Sequence, residues 1–276
     1  MGMNCPDRLY IPATIAGPLP ALVAGFALLA IFSYANCMHY SPLRIIITFI
    51  ITIVMLLVVI EAVRLIILYR SVKSYKSYWQ TQIAKPIKEG DFVYLALGDS
   101  VAQGIGATDI KRTYVSLIAA HIEQITGRHV HIINVSVTGA TATDVVRDQL
   151  PQIKGLTPDL VTLDIGANDI NHKTSTADFM RDFTTILNVM PQNRSIVADV
   201  PIFGDKQKQA KIDSLNVLVI EAISKRGLER APIADITHKT VNDLSTYGAD
   251  FFHPGNKGYR NWYKAFFLKL DGIIQK

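Results

Sequence analysis

Cysteine is nearly absent from this chain of 276 residues: Cys5 and Cys37 are the only two, and residues 91–276 have none. That C-terminal part therefore has no disulfide, no thiolate nucleophile and no cysteine-based zinc site. It also lacks a charge bias, with twenty basic and twenty acidic residues. The formal net charge of +5 comes from residues 1–90, where eight Lys or Arg stand against three acids. A basic chain is ordinarily a candidate for nucleic-acid binding. Here the excess lies beside an apolar segment, which points to a lipid membrane as partner and away from nucleic acid. Internal repeats and low-complexity segments are missing as well.

What is present in the N-terminal third is apolar. From Ile45 to Ile60 every residue is aliphatic, aromatic or Thr, and the run continues past Glu61 and Arg64 to Tyr69. At about 1.5 Å per residue, a helix over 45–69 crosses a hydrocarbon core of roughly 30 Å. Glu61 and Arg64 are three apart, so they share a helix face and can pair. An uncharged stretch over about 15–38 holds Gly17, Pro18, Pro20 and Gly25 and is a poorer span. A cleaved signal peptide is its rival reading, but Arg8 sits beside Asp7 and a second apolar span follows. The expected anchor is a transmembrane helical hairpin, 15–38 and 45–69, broken near Pro42. A basic juxtamembrane linker, 70–90, follows with Arg70, Lys73, Lys76, Lys85 and Lys88. Tyr75, Tyr78 and Trp79 suit the headgroup layer. The basic side is expected to be cytoplasmic, which places the second domain, 91–276, on the cytoplasmic face of the membrane.

After Gly90 short apolar runs alternate with amphipathic ones. Strands are expected over Phe92–Leu97, His129–Val135, Leu160–Asp164 and Ser195–Val200, with a short fifth over Ile233–Ile236. Helices are expected over Thr113–Thr126, Thr143–Gln149, Thr176–Met190, Lys208–Lys225 and Gly258–Leu270. Alternating strand and helix predicts a parallel sheet covered on both faces, with functional residues at the carboxyl ends of the strands.

Four clusters fall at such ends. Gly98-Asp99-Ser100 follows the first strand; alone, it is equally a helix cap. Gly139 follows the second, where a glycine lets backbone N–H approach a ligand or simply makes a turn. Gly166-Ala167-Asn168-Asp169 follows the third, and an Asn amide can donate to an oxyanion or belong to a turn. Asp250-Phe251-Phe252-His253 lies near the end of the chain, with a carboxylate placed to orient an imidazole. Other histidines are weaker candidates. His172 and His238 have no Asp three residues before them, and His129 and His131 have no evident partner ligand for a metal. Gly104-Ile105-Gly106 lacks the third glycine of a dinucleotide loop, and Gly-x-Ser-x-Gly is absent.

In this order, GDSVAQGIGA, TGATATD, GANDI and DFFHPGNKGY resemble the four blocks of the SGNH (GDSL-type) hydrolases, over about residues 92–270. The resemblance implies an α/β domain of three layers, α/β/α and flavodoxin-like. It implies a serine ester hydrolase with Ser100 as nucleophile, His253 as base and Asp250 as its orienter. The oxyanion hole would comprise Ser100, Gly139 and Asn168, and neither metal nor cofactor would be needed. Asp169 would hold the turn. With the anchor, the expected activity is hydrolysis of acyl esters, a lipid ester among the candidates. An acyltransferase using the same residues and a non-catalytic binding module are the alternatives.

Overall fold

The computed structural model describes residues 41–274. The expected span over 15–38 lies outside them. The chain divides into two compact units between Val63 and Arg64.

The described part of the first unit is the start of helix α1, Pro42–Ile83. Its aliphatic side chains from Leu43 to Val63 are mostly exposed. Among the described residues this is the one helix long and apolar enough to cross a membrane.

The second unit carries a five-stranded, wholly parallel sheet in the order β2-β1-β3-β4-β5. The strands are β1 Phe92–Gly98, β2 Val130–Asn134, β3 Leu160–Asp164, β4 Ser195–Ala198 and β5 Glu229–Ala231. β1 and β3 are apolar almost throughout because they are covered on both faces. Alternation along β1 divides the core. Tyr94 and Ala96 join Tyr114, Ile118 and Phe266 on one side; Leu95 and Leu97 join Phe183, Ile186 and Leu215 on the other. The first face is covered by α3 (Tyr114–Thr126) and α9 (Asn256–Ile274), whose Tyr114 and Phe266 rings stack at 4.9 Å. The second is covered by α6 (Thr176–Val189) and α7 (Lys206–Lys225). Between these run the short helices α2 (Ser100–Gln103), α4 (Ala142–Asp144), α5 (Ala167–Asn171) and α8 (Ile233–Thr240). The expected three-layer parallel α/β fold is the one observed, and its strand order is the flavodoxin-like one.

Three elements differ from expectation. First, α1 does not give way to a linker at residue 70 but continues to Ile83. Ser71, Tyr75 and Trp79 recur every four residues and so line one helix face. That face seats on the loop after Ser100. Gly106 N–H donates to Ser71 Oγ at 3.4 Å, Tyr75 Oη–H to the Ala107 carbonyl at 2.9 Å, and Trp79 Nε1–H to the Gln103 carbonyl at 2.9 Å. Trp79 is only 2% exposed, so it is a core residue, not a headgroup anchor.

Second, the helix expected over Thr143–Gln149 is one α turn, Ala142–Asp144, followed by a π-helical stretch, Val145–Gln149, and a 3₁₀ turn, Leu150–Ile153. Pro151 has no N–H to continue the α ladder. The widened turn aims the Gln149 amide at β1, where it accepts from Gly98 N–H at 3.0 Å and donates to the Gly98 carbonyl at 2.7 Å.

Third, Ile233–Ile236 is the start of α8, not the fifth strand; β5 lies just before it. Asp199, at the end of β4, explains the switch. Its carboxylate accepts from Ala234 N–H in the first turn of α8 at 2.7 Å and from Arg230 at 2.9 Å, and Pro232 at the junction cannot extend a ladder.

Candidate active site

Three of the functional clusters follow strands, and the fourth, Asp250–His253, lies in the loop between the 3₁₀ turn Leu244–Thr246 and α9. β1 runs into Gly98, whose φ of +146° and lack of a side chain are both required: a Cβ there would lie 2.2 Å from the Asp164 carbonyl oxygen. The chain then turns into α2. Asp99 caps that helix by accepting Val101 N–H at 2.9 Å, and Ser100 is its first residue. The loop Gly248–His253 approaches from the other side. His253 Nε2 is 2.9 Å from Ser100 Oγ, and His253 Nδ1 is 2.6 Å from Asp250 Oδ2. The other Asp250 oxygen accepts the N–H groups of Phe252 at 3.1 Å and His253 at 3.0 Å. Burial works to raise the Asp250 pKa, but the hydrogen bond and charge of His253 and these two N–H groups hold it below the usual carboxylate value. A hydroxyl, an imidazole and an ionised carboxylate thus form one hydrogen-bonded chain over residues 100, 253 and 250.

The loops after the second and third strands complete the floor. Asn168, in α5, donates its amide to the Ala140 carbonyl at 3.0 Å and to Asp99 Oδ2 at 3.3 Å. Gly139 has φ +83° and open space where a Cβ would stand. It lies between two tethered neighbours. Thr138 N–H donates to Gln103 Oε1 at 2.7 Å, and Ala140 is the residue that Asn168 holds. Of the sites expected from sequence, Ser100, His253 and Asp250 are hydrogen-bonded in a chain, while Asn168 is tied to Asp99, next to Ser100, and Gly139 is flanked by Thr138 and Ala140, which Gln103 and Asn168 hold. Asp169 accepts Ala142 N–H at 3.0 Å, tying the third strand's turn to the second strand's loop, which is the turn-holding position expected for it. The rival bases do not enter, since His172 and His238 are exposed and outside the pocket beside Ser100. Of the two histidines weighed for a metal, His129 faces Glu123 at 3.2 Å and His131 lies on β2 with its Nε2 unpartnered. Among the described residues no cluster of His, Cys, Asp or Glu could hold a metal ion.

Sequence reading passed over the residues beneath. Asp99 was legible only as a cap, yet it also fixes Asn168. Asp164 accepts from Trp262 Nε1–H at 3.0 Å under the site. Gln149 clamps Gly98, and Trp79 holds the end of α2. Pocket walls beside Ser100 come from Asn168, Ile202, Phe203, Tyr247, Phe252 and His253, and the space between them is about 40 Å³.

Buried carboxyls give the domain an uncommon pH dependence. Burial raises Asp99 to about 6 and Asp199 to about 6. Burial likewise raises Asp164, with the nearby Asp99 charge adding to it, and Asp169. In each case the folded state holds its proton more tightly than the unfolded state. The stabilisation is complete below the unfolded value of 3.8 and is lost as pH rises towards 6 and above. Asp243 is held down to about 2 by its hydrogen bond from Lys257 and acts in the opposite sense, losing its contribution as pH falls below 3.8. Thermal unfolding is therefore expected to show the highest Tm near about pH 4–5 and a lower one at about pH 7. A Tm that climbs steadily across that range would contradict the assignment.

The description "GDSL-like Lipase/Acylhydrolase family" matches residues 96–260 of the chain. No curated protein matches. Several solved structures share the fold. TesA is 14% identical, with a TM-score of 0.57 over 66% of this chain and 99% of that one. LAE5, an alpha/beta hydrolase enzyme from the metagenome of Lake Arreo, is 18% identical, with a TM-score of 0.54 over 66% of this chain and 95% of its own. The acetylxylan esterase Axe2 from Geobacillus stearothermophilus is 16% identical, with a TM-score of 0.53 over 67% of this chain and 96% of that one.

Proposed function

Because the chain belongs to the GDSL-like lipase/acylhydrolase family and is a serine ester hydrolase, we propose that it acts through an acyl-enzyme on Ser100 while tethered to a membrane by α1. The observation that carries this reading is the continuous chain from Ser100 Oγ to His253 at 2.9 Å and from His253 to Asp250 at 2.6 Å.

Ser100 Oγ attacks the ester carbonyl carbon as its proton passes to His253 Nε2. Asp250 keeps the Nδ1 proton in place and stabilises the imidazolium. The negative charge that develops on the carbonyl oxygen is met by the N–H groups of Ser100 and Gly139 and the amide of Asn168. The tetrahedral species collapses, the alkoxide leaves with the proton from His253, and the acyl group remains on Ser100. Water, deprotonated by His253, then attacks the acyl carbon, and Ser100 departs with its proton restored. Asn168 turns one N–H to the oxyanion by giving up its longer bond to Asp99 Oδ2 at 3.3 Å, while the Ala140 carbonyl at 3.0 Å keeps the amide in place.

The partly open space of about 40 Å³ beside Ser100 corresponds to roughly three water molecules, which suits a short acyl group. Longer chains need Phe203 and Phe252, whose rings stack at 5.9 Å, to part. Hydrolysis of p-nitrophenyl esters from acetate to palmitate tests the reading, with an activity optimum expected at two to about four carbons. A fluorophosphonate should also add one phosphonyl group, found on Ser100 by mass spectrometry. No turnover and no adduct in folded protein would overturn the reading.

The tether rests on α1, and its orientation on the basic residues Arg70, Lys73, Lys76, Lys85 and Lys88 that follow the apolar run. These support a reading in which the esterase domain lies on the cytoplasmic face of the membrane. Protease should then remove it from inside-out vesicles and leave it intact in right-side-out ones; the reverse pattern inverts the topology.

A further inference from the structure

A second concavity, of about 680 Å³, adjoins the loop that carries Asp250 and His253. Its wall includes Arg64, Arg112, Lys257 and Arg260 and contains no Asp or Glu. Asp243 approaches from outside the wall and pairs with Lys257 at 2.7 Å, so that cation is partly offset. Two apolar side chains in the wall, Leu244 and Phe251, stand out into solvent at 64% and 53% exposure. Phe251 has φ +53°, a strained backbone for an aromatic residue, so the fold presents this ring outward at a cost in backbone energy.

The sequence position of the basin is as informative as its charge. Arg64 directly follows the exposed aliphatic stretch of α1 that ends at Val63, and Ile67 and Leu68 on the next turn are also in the wall. Arg64 donates to the Gly248 carbonyl at 3.1 Å and its guanidinium lies 5.4 Å from the Phe251 ring centroid. Gly248 N–H in turn donates to the His253 carbonyl at 2.7 Å. The same loop thus borders the basin and holds the imidazole against Ser100.

We propose that this basin binds the phosphate of an anionic phospholipid headgroup, with Leu244 and Phe251 entering the boundary between headgroups and acyl chains. The inference rests on the reading of α1 as a membrane tether. Cations clustered at a membrane surface attract anionic lipid, and guanidinium groups suit phosphate oxygens. Exposed aliphatic and aromatic side chains beside them suit the acyl boundary. A free phosphate would use the cations but have no role for Leu244 or Phe251.

The test uses the full chain carrying Ser100→Ala, in nanodiscs of phosphatidylcholine with a trace of photoactivatable phosphatidylglycerol. Because the readout is labelling, it does not depend on esterase activity, and failure of the tether reading would be seen separately as a chain that does not enter the discs. Adducts are expected on the peptides spanning 244–257. The double substitution Arg112→Gln and Arg260→Gln, at exposed positions away from Ser100, is expected to lower their yield about tenfold. Arg112→Lys with Arg260→Lys should restore most of it, and inorganic phosphate in excess should leave it unchanged. Labelling confined to residues 45–63, labelling indifferent to the double substitution, or full competition by inorganic phosphate would each overturn the proposal, the last in favour of a free-phosphate site.

Discussion

Ser100→Ala is expected to lower kcat on a p-nitrophenyl ester by about 10⁶ with KM little changed, and His253→Ala by a similar factor. The two effects should not add, because the base has no task without the nucleophile and the nucleophile is un-ionised without the base. Asp250→Asn should cost about 10⁴ with the fold intact. The amide would present N–H or a neutral oxygen to Nδ1, where the native carboxylate accepts at 2.6 Å, so the imidazole would lose both its tautomer and the charge that stabilises its protonated form. Asn168→Ala belongs to a lower tier, about 10²–10³, since it removes one oxyanion donor of several. Steady-state kinetics on the four variants, with circular dichroism to confirm folding, tests this order. If Ser100→Ala keeps more than about a thousandth of the activity, the nucleophile is another group and the proposed mechanism fails.

Much of this site was legible in the sequence because its chemistry is carried by short local patterns. A carboxylate three residues before a histidine needs only a turn to reach Nδ1, and Asp250 does so while also accepting Phe252 and His253 N–H within that turn. A Gly-Asp-Ser at the end of an apolar run reads as a strand giving way to a helix cap, and Asp99 caps α2. The parallel sheet followed from the alternation of apolar runs with amphipathic ones. The supports were not legible, since each depends on contacts across long sequence distances. Gln149 meets Gly98 from 51 residues away, and Trp262 meets Asp164 from 98 residues away. Nothing in the local pattern of either glutamine or tryptophan marks such a partner. The π-helical stretch is a related case. Pro151 announces a break, but which way the preceding turn widens is decided by the polar groups of Gly98 that Gln149 satisfies. The short fifth strand failed for a different reason. Ile233 and Ile236 fit one helix face as well as a buried strand, and Asp199 at a helix N-terminus settles the choice.

The end of α1 was the largest departure, and it carries the second large effect. Hydropathy falls after Tyr69, so a boundary near Gly90 is the natural reading of the sequence alone. Yet Trp79 is buried to 2% exposure among Tyr114, Ile118 and the other residues of the first core layer. Its Nε1–H satisfies the Gln103 carbonyl at the end of the helix that begins with Ser100. Gln103 is doubly engaged, because its side-chain oxygen also accepts Thr138 N–H at 2.7 Å, next to Gly139. A chain starting at Asp91 would lose this indole, open a cavity and leave the carbonyl of Gln103 without its partner. A chain starting at Arg64 would retain all of it. Truncating a buried tryptophan to alanine costs about 3–5 kcal/mol, and a lost hydrogen bond to a buried carbonyl about 1–3 kcal/mol more. The sum is a large part of the 5–15 kcal/mol by which domains are usually stable, so the shorter fragment is expected to be largely unfolded or molten near about 37 °C. Urea unfolding of the two fragments, and of Trp79→Ala in the longer one, measures this. The variant should lower the midpoint with the urea m-value unchanged and, because α2 and the Gly139 loop both lean on Gln103, should lower kcat by more than its remaining folded fraction accounts for. Equal midpoints for the fragments starting at Arg64 and Asp91 would mean that the C-terminal half of α1 is dispensable, and that the boundary belongs at Gly90 after all.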